Sequence, residues 1–141
     1  MFRLSYKPGG KLEFKSFSVA VYYIADDKNI KNTLTAFEKK FRIKLSALQL
    51  KNILAKKNKQ IIISNGKGRP EQIVLNKFKT DEKFTVDYFR NHLAGLIKDF
   101  KNDEVQSLHL FIPDFKLVKK FFDNEEYFYR SFLEGLSLGN Y

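Results

Sequence analysis

Runs of alternating and helically spaced apolar residues divide the chain into short elements with clear breaks between them. Phe2-Arg3-Leu4-Ser5-Tyr6 alternates, Pro8-Gly9-Gly10 supplies a turn, and residues 12–24 are dense in aromatic and β-branched side chains, so this opening segment reads as strands. Asp26-Asp27 breaks the pattern and starts the next element. Apolar residues at Ile30, Leu34, Phe37 and Phe41 then hold the spacing of one helix face. A second helical stretch follows, with Leu45, Leu48, Ile53 and Leu54 as its expected inner face. Residues 60–64 (QIIIS) and 72–76 (QIVLN) read as strands flanking Asn65-Gly66-Lys67-Gly68-Arg69-Pro70. Asn-Gly is a strong hairpin signal, because both residues tolerate positive φ.

The second half carries the clearest helix. Thr85 is its expected N-cap, and Val86, Phe89, Leu93, Leu96, Ile97 and Phe100 form one apolar stripe. Residues 105–112 (VQSLHLFI) form a strand ended by Pro113 and Asp114. Asp114 can cap a short helix through Phe115, Leu117, Val118 and Phe121. Asp123, with Glu126 three residues on, has the capping-box pattern for a last helix carrying Tyr127, Phe128, Phe132 and Leu136, with Gly139 as its expected stop. Strands interleaved with helices predict an α/β fold, and the early hairpins make its sheet mixed rather than purely parallel.

Composition narrows the class. A chain of 141 residues matches one domain on length, and its 15 Phe and 7 Tyr can bury a large apolar area. No apolar run approaches the roughly 20 residues that span a bilayer, and residues 1–14 lack the apolar core of a secretory signal. The absence of Cys removes disulfides and thiolate chemistry and suits a cytoplasmic protein with no membrane partner.

Charge is the most uneven property. Residues 1–79 hold 18 Lys/Arg and 5 Asp/Glu, whereas residues 80–141 hold 8 and 11. The stretch 39–59 contains Lys39, Lys40, Arg42, Lys44, Lys51, Lys56, Lys57 and Lys59 and no acidic residue. Such a block is a candidate contact surface for nucleic acid, with DNA the partner to consider. Against this, 21 of the 26 basic residues are Lys, whose point charge lacks the bidentate fork of Arg, and a solvated Lys-rich face is the plainer reading. Tyr22, Tyr23 and Phe41 lie near the block and could stack bases, although core positions on a strand and a helix explain them equally.

Signs of catalysis are scarce. His109 sits between Leu108 and Leu110, and alternation points it away from them, toward solvent or a second layer. His92 lies beside Arg90 and Asn91 on the polar side of its helix. The acid pairs Asp26-Asp27, Asp103-Glu104 and Glu125-Glu126 fall at helix starts or loops, where the helix dipole accounts for them. Gly66-Lys67-Gly68 could cradle a phosphate or ADP-ribose, yet neither a P-loop nor a dinucleotide spacing is present and a hairpin explains it. No catalytic, cofactor-binding or metal-binding residue is expected from these patterns.

The C-terminal third adds a resemblance. SLHLFIPDF (107–115) followed by EGLSLGNY (134–141) resembles the end of the N-terminal domain of leucyl (cytosol) aminopeptidases. In that family a strand ending near a Pro leads to a helix carrying E-G-x-x-L-x-x-Y, and the chain continues as F-x-x-Y-K. Glu134, Gly135, Leu138 and Tyr141 match in register. EQIVLNKF (71–78), the helix over 85–100 and the strand over 105–112 follow the family's strand–helix–strand order. One departure is plain: Asn76-Lys77-Phe78 stands where the family has a Gly-Leu-Gly-type turn. The first 60 residues follow the family in element order only.

The resemblance implies a macro-domain-like three-layer fold, a mixed sheet with helices on both faces. It implies that residues 1–141 are a single, non-catalytic N-terminal domain, truncated before the linker and catalytic domain. In the family that second domain binds two zinc or manganese ions through Asp, Glu and Lys residues and removes N-terminal residues from peptides. Those ligands lie beyond the position matched by Tyr141, so the implied partners are the protein's own catalytic domain and the sister subunits of a hexamer. Some bacterial members also bind DNA. A cut at that point would leave Phe132 and Leu136 short of packing.

Overall fold

A computed structural model describes residues 14, 17–26, 28–55, 59–63, 68–78, 84–101, 105 and 107–140. The expected strand at 2–6, the turn at 8–10, the Asn65-Gly66-Lys67 turn, the Asp103-Glu104 pair and Lys56 and Lys57 lie outside these residues. The fold is α/β. Its four-stranded mixed sheet has the order β2-β3-β1-β4, formed by β1 (Ser18–Ala25), β2 (Lys59–Ile63), β3 (Gln72–Phe78) and β4 (Ser107–Leu110). Strand β3 runs parallel to β1, from Val19↔Gln72 to Ala25↔Phe78, and antiparallel to β2, from Lys59↔Asn76 to Ile63↔Gln72. Two expected strands are shorter than predicted. β1 starts at Ser18 rather than 12, because Phe17 turns the chain with φ 57° while its N–H donates to Glu71 Oε1 at 3.1 Å. β4 stops at Leu110, although Phe111 N–H still donates to the Val21 carbonyl at 3.0 Å.

The described residues fall into two compact units, one within Leu12–Lys79 and His109–Pro113, the other within Thr80–Leu108 and Asp114–Tyr141. In the first, α1 (Ile30–Phe41) places Leu34, Phe37 and Phe41 in the core, as the spacing predicts. They join Ala20, Ile24, Ile73 and Leu75, which the register sets side by side, and Ile62 of β2. The alternate residues Val19, Val21, Tyr23 and Val74 are buried as well, so β1 and β3 read as continuous apolar runs rather than alternating ones.

Helix α2 (Ala47–Leu54) corrects one expectation. Ser46 caps it in a full capping box: Gln49 N–H donates to Ser46 Oγ at 3.1 Å and Ser46 N–H to Gln49 Oε1 at 2.8 Å. That start fixes the phase so that Leu50 and Ile53 face inward, whereas Leu48 and Leu54 are 68% and 44% exposed. Leu45 is buried from the connecting segment instead.

The second unit is built on the contact between α3 (Val86–Lys101) and α4 (Glu125–Asn140). Thr85 caps α3 by accepting the Tyr88 N–H at 3.0 Å, and Phe89, Leu93, Leu96, Ile97 and Phe100 are buried as predicted. Asp114 accepts the Lys116 N–H at 3.0 Å, but the short helix resolves into two 3₁₀ turns, Phe115–Leu117 and Lys119–Phe121. The cap of α4 is Asn124 rather than Asp123: its Oδ1 accepts the Tyr127 N–H at 2.8 Å. Gly139 does not stop α4, which runs to Asn140. Phe132 and Leu136 are buried, at 3% and 5% exposure, so neither lacks packing. Phe84, Phe89, Phe122 and Phe128 form a ring cluster here, with Phe89 stacked on Phe128 at 5.7 Å.

Candidate polyanion-binding surface

The basic block emerges on three consecutive pieces of the first unit. Lys39 and Lys40 occupy the last turn of α1, Arg42 ends that helix in the left-handed conformation at φ 54°, Lys44 lies in the connection, and Lys51 is on α2. All five side chains are exposed. Lys59 begins β2. Part of this placement is local: cations in the last turn of a helix offset the partial negative charge of its free carbonyls.

The nearest acid is already engaged. Glu38 Oε2 accepts the Leu45 N–H at 2.8 Å, and the Glu38 carbonyl accepts the Ile43 N–H at 3.0 Å, which folds the connection back under the end of α1. Among the described residues, the ion pairs Arg90–Asp87, Arg90–Glu134 and Arg130–Glu126 all lie in the other unit, and none of Lys39, Lys40, Arg42, Lys44 or Lys51 has a carboxylate partner. The imbalance follows the structural division: residues 12–79 with 109–113 carry 15 basic and 5 acidic side chains, and residues 1–11 with 80–108 and 114–141 carry 11 and 11.

The aromatic candidates separate clearly. Tyr23 and Phe41 are buried, at 6% and 3% exposure, and cannot stack on a ligand. Tyr22 is half-buried, within a ring cluster with Phe37, Phe41 and Phe111 at 5.4–5.6 Å. The Lys40 ammonium lies 4.8 Å from the Phe111 centroid and 5.6 Å from that of Tyr22. Phe111, distant in sequence, is the residue that reasoning along the basic stretch misses; only the sheet order brings it beside Val21 and Tyr22. Burial raises the Tyr22 and Tyr23 hydroxyls above their ordinary range by desolvating the phenolate.

The remaining candidates form no second site. His109 is half-buried with its ring edge-on to Phe14 at 4.8 Å, which is a packing role, and all of β4 is half-buried, so alternation does not sort its residues. His92 is half-buried on α3. Glu125 and Glu126 lie in the first turn of α4, as the dipole argument expects. Gly68 has φ 79° and is exposed. Among the described residues no three His, Asp or Glu side chains gather as metal ligands, and no helix is long and apolar enough to cross a membrane. Comparison with protein families, with curated proteins and with solved structures returns no match.

Proposed function

We propose that this chain is a non-catalytic α/β domain of a leucyl-aminopeptidase-like metallopeptidase, cytoplasmic and macro-domain-like, with an assembly, access or regulatory role. The observation that supports this reading is the use made of two residues of the E-G-x-x-L-x-x-Y pattern. Glu134 pairs with Arg90 at 2.8 Å, and a Cβ on Gly135 would lie 3.0 Å from the Arg90 carbonyl oxygen. Both residues thus hold α4 against α3, a structural rather than chemical duty for the motif. The parent enzyme would remove N-terminal residues from peptides, and two zinc or manganese ions in its catalytic domain would supply the activation of water. Its subunits form a hexamer.

Two measurements test this. The coding sequence after Tyr141 is expected to read F-x-x-Y-K and to continue into a domain rich in Asp, Glu and Lys; an in-frame stop there overturns the reading. The 141-residue chain incubated with zinc or manganese and leucine p-nitroanilide is expected to release no nitroaniline. Metal-dependent turnover by the chain alone contradicts a non-catalytic domain.

A second reading, compatible with the first, is that the basic unit binds a polyanion such as DNA. The exposed cations Lys39, Lys40, Arg42, Lys44 and Lys51, none with a carboxylate partner among the described residues, favour it. Affinity for a duplex is expected to fall steeply with salt as released counterions accumulate. Absence of binding at low salt removes this reading and leaves the first intact.

A further inference from the structure

The rings beneath Lys40 add something that charge alone does not. A surface that only neutralises phosphates needs no aromatic face. Here Tyr22 and Phe111 sit 5.5 Å apart at 63°, both half-buried against Phe41, with the Lys40 ammonium 4.8 Å from the Phe111 centroid and 5.6 Å from that of Tyr22. A cation near a ring is attracted by the ring's quadrupole, and an aromatic face can also stack on a base. Lys39, Arg42 and Lys44, each exposed and without a carboxylate partner among the described residues, lie within four residues of Lys40 along the chain. Rings flanked by exposed cations match the recognition chemistry of an unpaired nucleotide: the base stacks and the neighbouring phosphates meet the cations. A duplex keeps its bases stacked on each other and offers such a ring nothing.

We propose that the Tyr22 and Phe111 ring faces under Lys40 form a stacking platform for an unpaired base, so that this surface takes single-stranded nucleic acid in preference to duplex. Lys40 swings from the rings to a phosphate as the base enters. The inference rests on the polyanion reading above, and the experiment separates the two.

Fluorescence anisotropy at low salt would compare a labelled oligo(dT) of about 16 nucleotides, a duplex of the same length, and an abasic oligonucleotide with the same phosphates. Stacking predicts that oligo(dT) binds roughly ten-fold more tightly than the abasic strand, the size of one base–aromatic contact. Phe111→Leu, which keeps an apolar side chain but removes the π-face, is expected to erase most of that difference. The comparison of wild-type protein with the two single strands needs no variant, so a poorly folded Phe111→Leu protein does not obscure the result. Equal affinity for oligo(dT) and the abasic strand, or tighter binding of the duplex, overturns the platform and leaves polyanion binding standing. No binding of any of the three overturns both.

Discussion

Gly139 of α4 crosses α3 so closely that a Cβ on it would stand 2.5 Å from the carbonyl oxygen of Ala94 and 2.7 Å from Cβ of Ile97. The first of these atoms is backbone inside a helix and cannot rotate away. Gly95, one residue along α3 from Ala94, has nothing within 4 Å of its own hypothetical Cβ and is exposed. Opposite outcomes follow for the same substitution. Gly139→Ala is expected to cost about 3 kcal/mol by forcing the helices apart. Gly95→Ala should gain about 1 kcal/mol, because alanine loses less backbone entropy in a helix interior. Urea unfolding of both variants checks this; equal signs would show that α3 and α4 do not meet at Gly139.

The Arg90 guanidinium joins the same helices by charge. It reaches Glu134 at 2.8 Å and Asp87 at 3.3 Å, and the Glu134 side chain is 46% exposed against 87% for Asp87. The tighter, less solvated pair should contribute more. Glu134→Ala is expected to cost about 1 kcal/mol and Asp87→Ala less, with the difference shrinking in molar salt. A double-mutant cycle with Arg90→Ala isolates each pair. A cycle energy near zero for Arg90–Glu134 would remove the structural duty assigned to the motif's glutamate.

What could be read from the sequence depended on how local the determining interaction was. The α3 stripe and its Thr85 cap, the α1 face and the β2–β3 pairing are set by contacts a few residues apart, and each follows the predicted pattern. The inner face of α2 was misplaced because its phase depends on Ser46, a cap that apolar spacing alone overlooks. Gly139 looked like a helix stop because glycine serves both as a terminator and as a point of close approach, and only the crossing with Ala94 distinguishes them. The cations of the candidate site were legible as a run of residues, but Phe111 was not, since strand order alone brings it to Tyr22.

Alkaline pH should expose the buried tyrosines. Both Tyr22 and Tyr23 have hydroxyl pKa values raised by desolvation, so folding favours their neutral forms. For an acid whose folded pKa is raised, the contribution to stability is whole below the unfolded value near 10 and is lost as pH climbs beyond it. Denaturant stability is therefore expected to drop as pH rises beyond about 10, and Tyr23→Phe should flatten that drop. Phenolate absorbance gives a direct check, with Tyr22 and Tyr23 expected to titrate above the ordinary tyrosine range. A drop of the same size in Tyr23→Phe would assign the alkaline loss to other groups.

Arg42 sets stability against binding at one position. It ends α1 with φ 54° and ψ 45°, and its N–H donates to the Glu38 carbonyl. A non-glycine residue in that conformation costs roughly 1 kcal/mol. The guanidinium is exposed and has no carboxylate partner among the described residues. Arg42→Gly is expected to raise stability by about 1 kcal/mol, while Arg42→Lys, equally strained, should leave it unchanged. If the cation contacts phosphate, the same glycine variant weakens binding to a duplex and lowers the slope of log affinity against log salt by about 0.9, whereas Arg42→Lys keeps the slope. Thermal melts and salt titrations of the two variants read both effects. A gain in stability with no change in salt slope would leave the left-handed turn as a structural cost that nucleic-acid binding does not explain.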